Sequence, residues 1–100
     1  MIKHIVMWKL KDSARGTSKD QNALELKSVL EDLKNKISVI KQIEVGINFN
    51  KSSAAYDVVL YSEFDSLQDL QAYQKHPDHV KVVDFVNEIR DDRAVVDYEI

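Results

Sequence analysis

The chain has no cysteine, one proline, two glycines and one tryptophan among its 100 residues. Without cysteine there is no disulfide framework, thiolate zinc site, iron–sulfur cluster or cysteine nucleophile, and a reducing cytoplasm is the expected compartment. So little glycine and proline leaves no room for a linker or low-complexity segment, and residues 1–100 read as one domain without internal repeats. No apolar run approaches the roughly 20 residues of a membrane span. The opening MIKHIVMWKLKD has neither the apolar stretch nor the small-residue cleavage site of a secretion signal, so no membrane partner is expected. Basic charge is not in excess: 14 Lys and Arg stand against 17 Asp and Glu, a net charge of −3. Phosphate binding wants clustered basic residues, so no nucleic-acid partner is expected. The cluster Lys34, Lys36 and Lys41 reads as the solvated end of a helix.

What is present is periodic. Ile2, His4, Val6, Trp8 and Leu10 alternate with Lys3, Ile5, Met7 and Lys9, the pattern of a strand with one covered face. Ser18 and Gln21 form a capping box ahead of Ala23, Leu26, Leu30, Leu33 and Ile37 at helical spacing. Alternation returns over residues 42–50 with Ile43, Val45, Ile47 and Phe49, and the polar KSSAA stretch separates this strand from YDVVLYSEF, as in a hairpin. Ser66 with Asp69 opens a short helix bearing Leu67, Leu70 and Tyr73. Pro77 ends it and suits the first turn of the next, where Val80, Val83, Val86 and Ile89 set the period. Ala94–Ile100 reads as a last strand. The order β-α-β-β-α-β, with the second helix broken at Pro77, predicts an α+β, ferredoxin-like antiparallel sheet covered by helices on one face.

The other sheet face carries Ile5, Met7, Val59 and Tyr61 among Lys3, Glu44 and Glu63. It is too apolar for open water and too polar for a monomer core. A domain of this length buries only about 60–65% of its unfolded surface. Two copies covering each other's sheets would form a dimeric α+β barrel, and a homodimer is expected.

Four segments carry a family resemblance: IKHIVMWKLKD, AYDVVLYSEF, AYQKHPDHV and VVDYEI. Together they resemble the stress-responsive A/B barrel (Dabb) family. The most specific piece is His76-Pro77-Asp78-His79 after Tyr73, with His4 in the first strand and Asp97-Tyr98 in the last. The resemblance implies homodimers and a pocket between sheet and helices in each subunit. One plant branch, the olivetolic acid cyclase-like proteins, uses that pocket for cofactor-free chemistry. Carried over position by position, that branch implies catalytic roles for His79, Tyr73 and His4. It implies a substrate-binding lining of Val6, Trp8, Ile43, Leu60, Ser62, Leu70 and Val80. Two positions depart from it: Trp8 stands where the cyclases have a smaller aliphatic residue, and Arg90 where they have tryptophan, which predicts a smaller, differently polar pocket.

The chemistry these residue types allow is acid–base. A neutral imidazole accepts a proton from an activated carbon acid, and a phenol donates to a developing enolate oxygen. Each residue also has a structural reading. His4 fits a hydrogen-bonded core position, His76 a helix end where a histidine meets free carbonyls, and Tyr73 a core position with its hydroxyl on His79. Pro77 separates His76 from His79, so no histidine-based metal site is expected, and no cofactor. Two functions remain open. One is a homodimer binding a small apolar or aromatic metabolite, and the other a cofactor-free lyase, cyclase or isomerase using His79 and Tyr73.

Overall fold

A computed structural model describes residues 1–100. In chain order the elements are β1 (Ile2–Leu10), β2 (Ser13–Ala14), β3 (Thr17–Ser18), α1 (Lys19–Lys36), β4 (Gln42–Ile47), β5 (Val58–Phe64), α2 (Leu67–Lys75), α3 (Pro77–Ile89) and β6 (Arg90–Glu99). The main sheet runs β4-β5-β1-β6 with every neighbouring pair antiparallel. This is the ferredoxin-like α+β arrangement that the segment order predicts.

The alternation in β1 is realised residue by residue: Ile2, His4, Val6, Trp8 and Leu10 are buried beneath the helices, while Lys3, Ile5, Met7 and Lys9 are half-buried on the other face. Against the covered face α1 lays Ala23, Leu26, Leu30 and Leu33, whose 3,4,3 spacing forms one helical stripe. Each fully buried leucine contributes about 1.5–3 kcal/mol. The helix starts where Ser18 Oγ accepts from the Gln21 amide at 3.2 Å, a cap whose loss costs about 1 kcal/mol.

A small hairpin, β2 with β3, precedes that cap and is not foreseen by the periodicity. Its turn residues Arg15 and Gly16 have φ of 55° and 73°, the double left-handed geometry of a type I′ turn. The strand expected over residues 42–50 ends at Ile47. Asn48 Nδ2 donates to the Tyr56 carbonyl while Asn48 Oδ1 accepts from the Asn50 amide, and Asn50 Oδ1 from the Ser52 amide. These side-chain turns replace the ladder, so Phe49 stands 94% exposed instead of continuing the apolar face.

The break at Pro77 separates two helices. His76 is extended, φ −62° and ψ 135°, as the residue before proline must be, and Pro77 opens α3. His76 differs from expectation: its ring serves the following helix, with Nδ1 accepting from the Asp78 amide at 3.1 Å. The extended backbone turns the side chain toward the unpaired amides of α3 rather than the last carbonyls of α2.

Candidate functional site

Between the elbow of α2 and α3 and the helix-facing side of β1, β5 and β6 lies a cavity of about 80 Å³. Six of the expected site residues line it: His4, Val6 and Trp8 from β1, Leu60 from β5, Tyr73 from α2 and His79 from α3. The other four do not. Ser62 is fully buried beside it and donates its hydroxyl to the His4 carbonyl at 2.9 Å, so it fixes the backbone of His4 instead of facing the cavity. Leu70 is enclosed in the core, and Ile43 packs on that core from β4, at the far edge of the sheet. Val80 points away and is 45% exposed. The phase set by Pro77 turns Val82, Val86 and Ile89 inward instead.

The structure adds wall residues that sequence reading missed. From His79, the positions Val83, Val86 and Asn87 follow at i+4, i+7 and i+8, one stripe of α3, and all three line the cavity; Arg90, the position the resemblance singled out, joins them from the first residue of β6. That spacing is a usable signal once His79 is placed at the site. Leu30 of α1 and Gln74 of α2 complete the helical wall, and Arg93 approaches from β6.

Four aromatic rings meet at the inner end. Tyr73 packs on Phe64 with ring centroids 5.0 Å apart and on His79 at 4.4 Å, and His4 meets Tyr73 edge-on at 6.2 Å from the opposite wall. His79 Nδ1 lies 3.0 Å from the Gln74 carbonyl oxygen. A carbonyl only accepts, so Nδ1 carries the hydrogen and the neutral ring keeps its lone pair at Nε2. Burial pushes the His79 pKa below the ordinary histidine value of 6.5; the nearby His4, Arg93 and His76 add to the shift, and the bond to Gln74 opposes it.

The Tyr73 hydroxyl is buried and has no hydrogen-bond partner. The expected bond from this hydroxyl to His79 is replaced by packing of the two rings. Burial raises the phenol well above its ordinary value, so it remains a proton-bearing donor. His4 is buried with Nδ1 hydrogen-bonded to Asp97 Oδ1, and this carboxylate orients the ring. His76 is occupied in capping α3, and no three His, Asp or Glu side chains converge closely enough to hold a metal ion. The arrangement offers a hydrogen-bond acceptor at His79 Nε2 and a donor at Tyr73.

Residues 2–100 match the family described as Stress responsive A/B Barrel Domain. The chain is 34% identical over 103 residues to a stress-response A/B barrel domain-containing protein of Arabidopsis thaliana, covering 98% of this chain and 36% of that protein. It thus spans about a third of this relative's length. Among solved structures, a dimeric ferredoxin-like protein of unknown function from Bacteroides fragilis is 40% identical, with TM-score 0.85 over 99% of this chain and 95% of that one. A hydroxynitrile lyase from Passiflora edulis shares the fold at TM-score 0.82 and 16% identity, over 99% of this chain and 92% of that one.

Proposed function

The chain belongs to the stress responsive A/B barrel domain family, and from that premise we propose that it is a homodimeric protein of the cytoplasm that binds a small apolar or aromatic metabolite between sheet and helices. In this reading residues 1–100 act as one unit. The observation that carries the proposal is the Tyr73 hydroxyl, buried and unpartnered on a residue that lines the cavity together with His79. Buried polar atoms are nearly always satisfied, and a ligand oxygen seated against Tyr73 would supply the missing partner. Val6, Trp8, Leu60 and Val86 supply the apolar contact, and the cavity size limits the ligand to a compact molecule.

The test is a screen of the pure protein against a metabolite mixture by two-dimensional NMR, with bound species identified by native mass spectrometry. Resonances of His79, Tyr73 and Trp8 should move together, and Tyr73→Phe should weaken the retained ligand. Shifts confined to other surfaces, or no retained species at all, would overturn the reading.

A second reading, a cofactor-free lyase, cyclase or isomerase, is favoured by the tautomer of His79. With Nδ1–H engaged by Gln74, Nε2 is the free basic atom of a ring that lines the cavity. It would take a proton from a carbon acid, the electron pair would move onto the adjacent carbonyl oxygen, and the Tyr73 O–H would stabilise that oxygen. The lyase of the same fold supports this as an analogy of fold alone. Protein-dependent deuterium wash-in at a bound carbonyl compound, reduced about 100-fold in His79→Ala, supports it; equal exchange with and without protein sinks it.

A further inference from the structure

Arginine is scarce in this chain: Arg15, Arg90 and Arg93 are all of it. Arg15 is paired with Glu25 and Glu88 at 4.0 and 3.5 Å. Arg90 and Arg93 take part in none of the ion pairs, although acidic residues outnumber basic ones and Asp91 and Asp92 lie between them. The one side-chain bond that either guanidinium makes is from Arg90 Nε to Asn87 Oδ1, a neutral acceptor, at 3.0 Å.

The register of β6 explains how they escape pairing. Trp8 lies opposite Arg93 and Lys9 opposite Asp92, but Leu10 lies opposite Arg90, so Asp91 is skipped in a bulge. Residues three apart on a regular strand face opposite ways. The extra residue brings Arg90 and Arg93 onto the same face, that of Trp8 and Leu10, and both line the cavity. Asp92 faces the other side with Lys9, and Asp91 joins Lys9, Lys19 and Lys51 in a separate polar pocket. A bulge beside a cavity commonly re-aims a side chain. This one sends two cations in and two carboxylates out. No Asp or Glu lines the cavity, and Asp97, on the same face of β6, is engaged by His4.

We infer that the ligand of this cavity is a compact organic anion, a carboxylate held at the rim by Arg90 and Arg93 whose oxygen-bearing far end reaches the Tyr73 hydroxyl and His79 Nε2. The guanidinium fork matches a carboxylate's two oxygens, while the inner donor and acceptor match a hydroxyl or carbonyl. A neutral ligand would leave both rim cations without a counter-charge. The inference rests on the small-molecule reading of the cavity and narrows it to acids.

Calorimetric titration with lactate, salicylate and 4-hydroxybenzoate, each against its neutral amide, tests it at low salt and at 0.5 M NaCl. At least one acid should bind about tenfold or more tightly than its amide, with the difference shrinking at high salt. Arg93→Gln, at an exposed position, should remove that preference by weakening the acid far more than the amide, whereas Arg15→Gln should leave both unchanged. Circular dichroism checks that each variant is folded, and Arg90→Gln serves as a second variant. Amides binding as tightly as acids would overturn the inference and leave the cavity reading standing. Binding of neither would overturn both. An equal loss in Arg15→Gln and Arg93→Gln would assign the effect to overall charge and overturn the anion site.

Discussion

The Nδ1–H of His79 donates to the carbonyl oxygen of Gln74 at 3.0 Å across the break between α2 and α3. Gln74 is in the last turn of α2, where carbonyls have lost their helical partners, so the break supplies the acceptor that selects the tautomer. The bond favours a protonated ring, but burial outweighs it and the pKa falls. At neutral pH the imidazole is uncharged, with Nε2 free.

A pH dependence follows from this shift. A histidine whose folded pKa lies below its unfolded value of 6.5 binds fewer protons when folded, so stability rises with pH through that window and is flat above it. The His79 ring proton should titrate with a midpoint below 6.5 by NMR, and the thermal midpoint should fall as pH drops below that value. His79→Gln should remove part of that acid-side fall. A midpoint at or above 6.5 would contradict the burial argument.

Tyr73 offers a test in which stability and function separate. A buried hydroxyl without a partner costs about 1–3 kcal/mol relative to a satisfied one, so Tyr73→Phe should leave the thermal midpoint unchanged or raise it. Ligand retention should fall in the same variant. If Tyr73→Phe destabilises the protein by more than about 1 kcal/mol, the hydroxyl has a structural partner and does not await a ligand.

On the outer face Lys3 Nζ lies 2.8 Å from Glu63 Oε2, which also accepts from the Tyr61 hydroxyl. The bond to Glu63 pushes Lys3 up to about 12, and the same bond holds the Glu63 carboxyl below its usual range. Around this polar centre Ile5, Met7 and Val59 are only half-buried, and Val96 and Tyr98 are exposed. A second copy would cover them. Light scattering should give a dimer mass at micromolar concentration, and Met7→Glu should shift it toward monomer or aggregate, because it buries an unpaired charge. A monomeric parent protein would end the argument.

Local signals were legible in sequence. The β1 alternation, the caps at Ser18 and Ser66 and the break at Pro77 each depend on a few neighbouring residues, and each is realised. The phase of α3 was not legible, because Val80, Val82, Val83 and Val86 are all valine, and only packing on α1 and the sheet decides which turn inward. Ile43 has the expected strand but not the expected neighbourhood, since β4 lies at the opposite edge of the sheet from β6. The meeting of His4, Tyr73 and His79 spans three elements and was suggested by family resemblance rather than by periodicity. Arg93 carried no signal at all: its direction depends on a bulge whose position is set by pairing with β1.

The Trp8 indole fills part of the cavity wall, and its bulk predicts an upper limit on the molecules the cavity would admit. Trp8 is buried, opposite Val58 on one side and Arg93 on the other. Its carbonyl accepts from the Asp57 amide at 2.8 Å, and Asp57 in turn accepts from the Leu10 amide at 2.7 Å. The backbone is therefore pinned on both sides, and removal of the indole leaves space that the strand cannot close. Trp8→Ala should cost about 3–5 kcal/mol, a large share of the roughly 5–15 kcal/mol a domain possesses, so Trp8→Leu is the more useful variant. It should lower the thermal midpoint by several degrees, at about 4–8 °C per kcal/mol for a domain of this size. The enlarged cavity should also admit molecules the parent protein excludes. Calorimetry with naphthoate, a larger relative of salicylate, would read the gain directly. Unchanged exclusion of naphthoate in a folded Trp8→Leu protein would show that access is limited by the α2–α3 elbow and not by the indole.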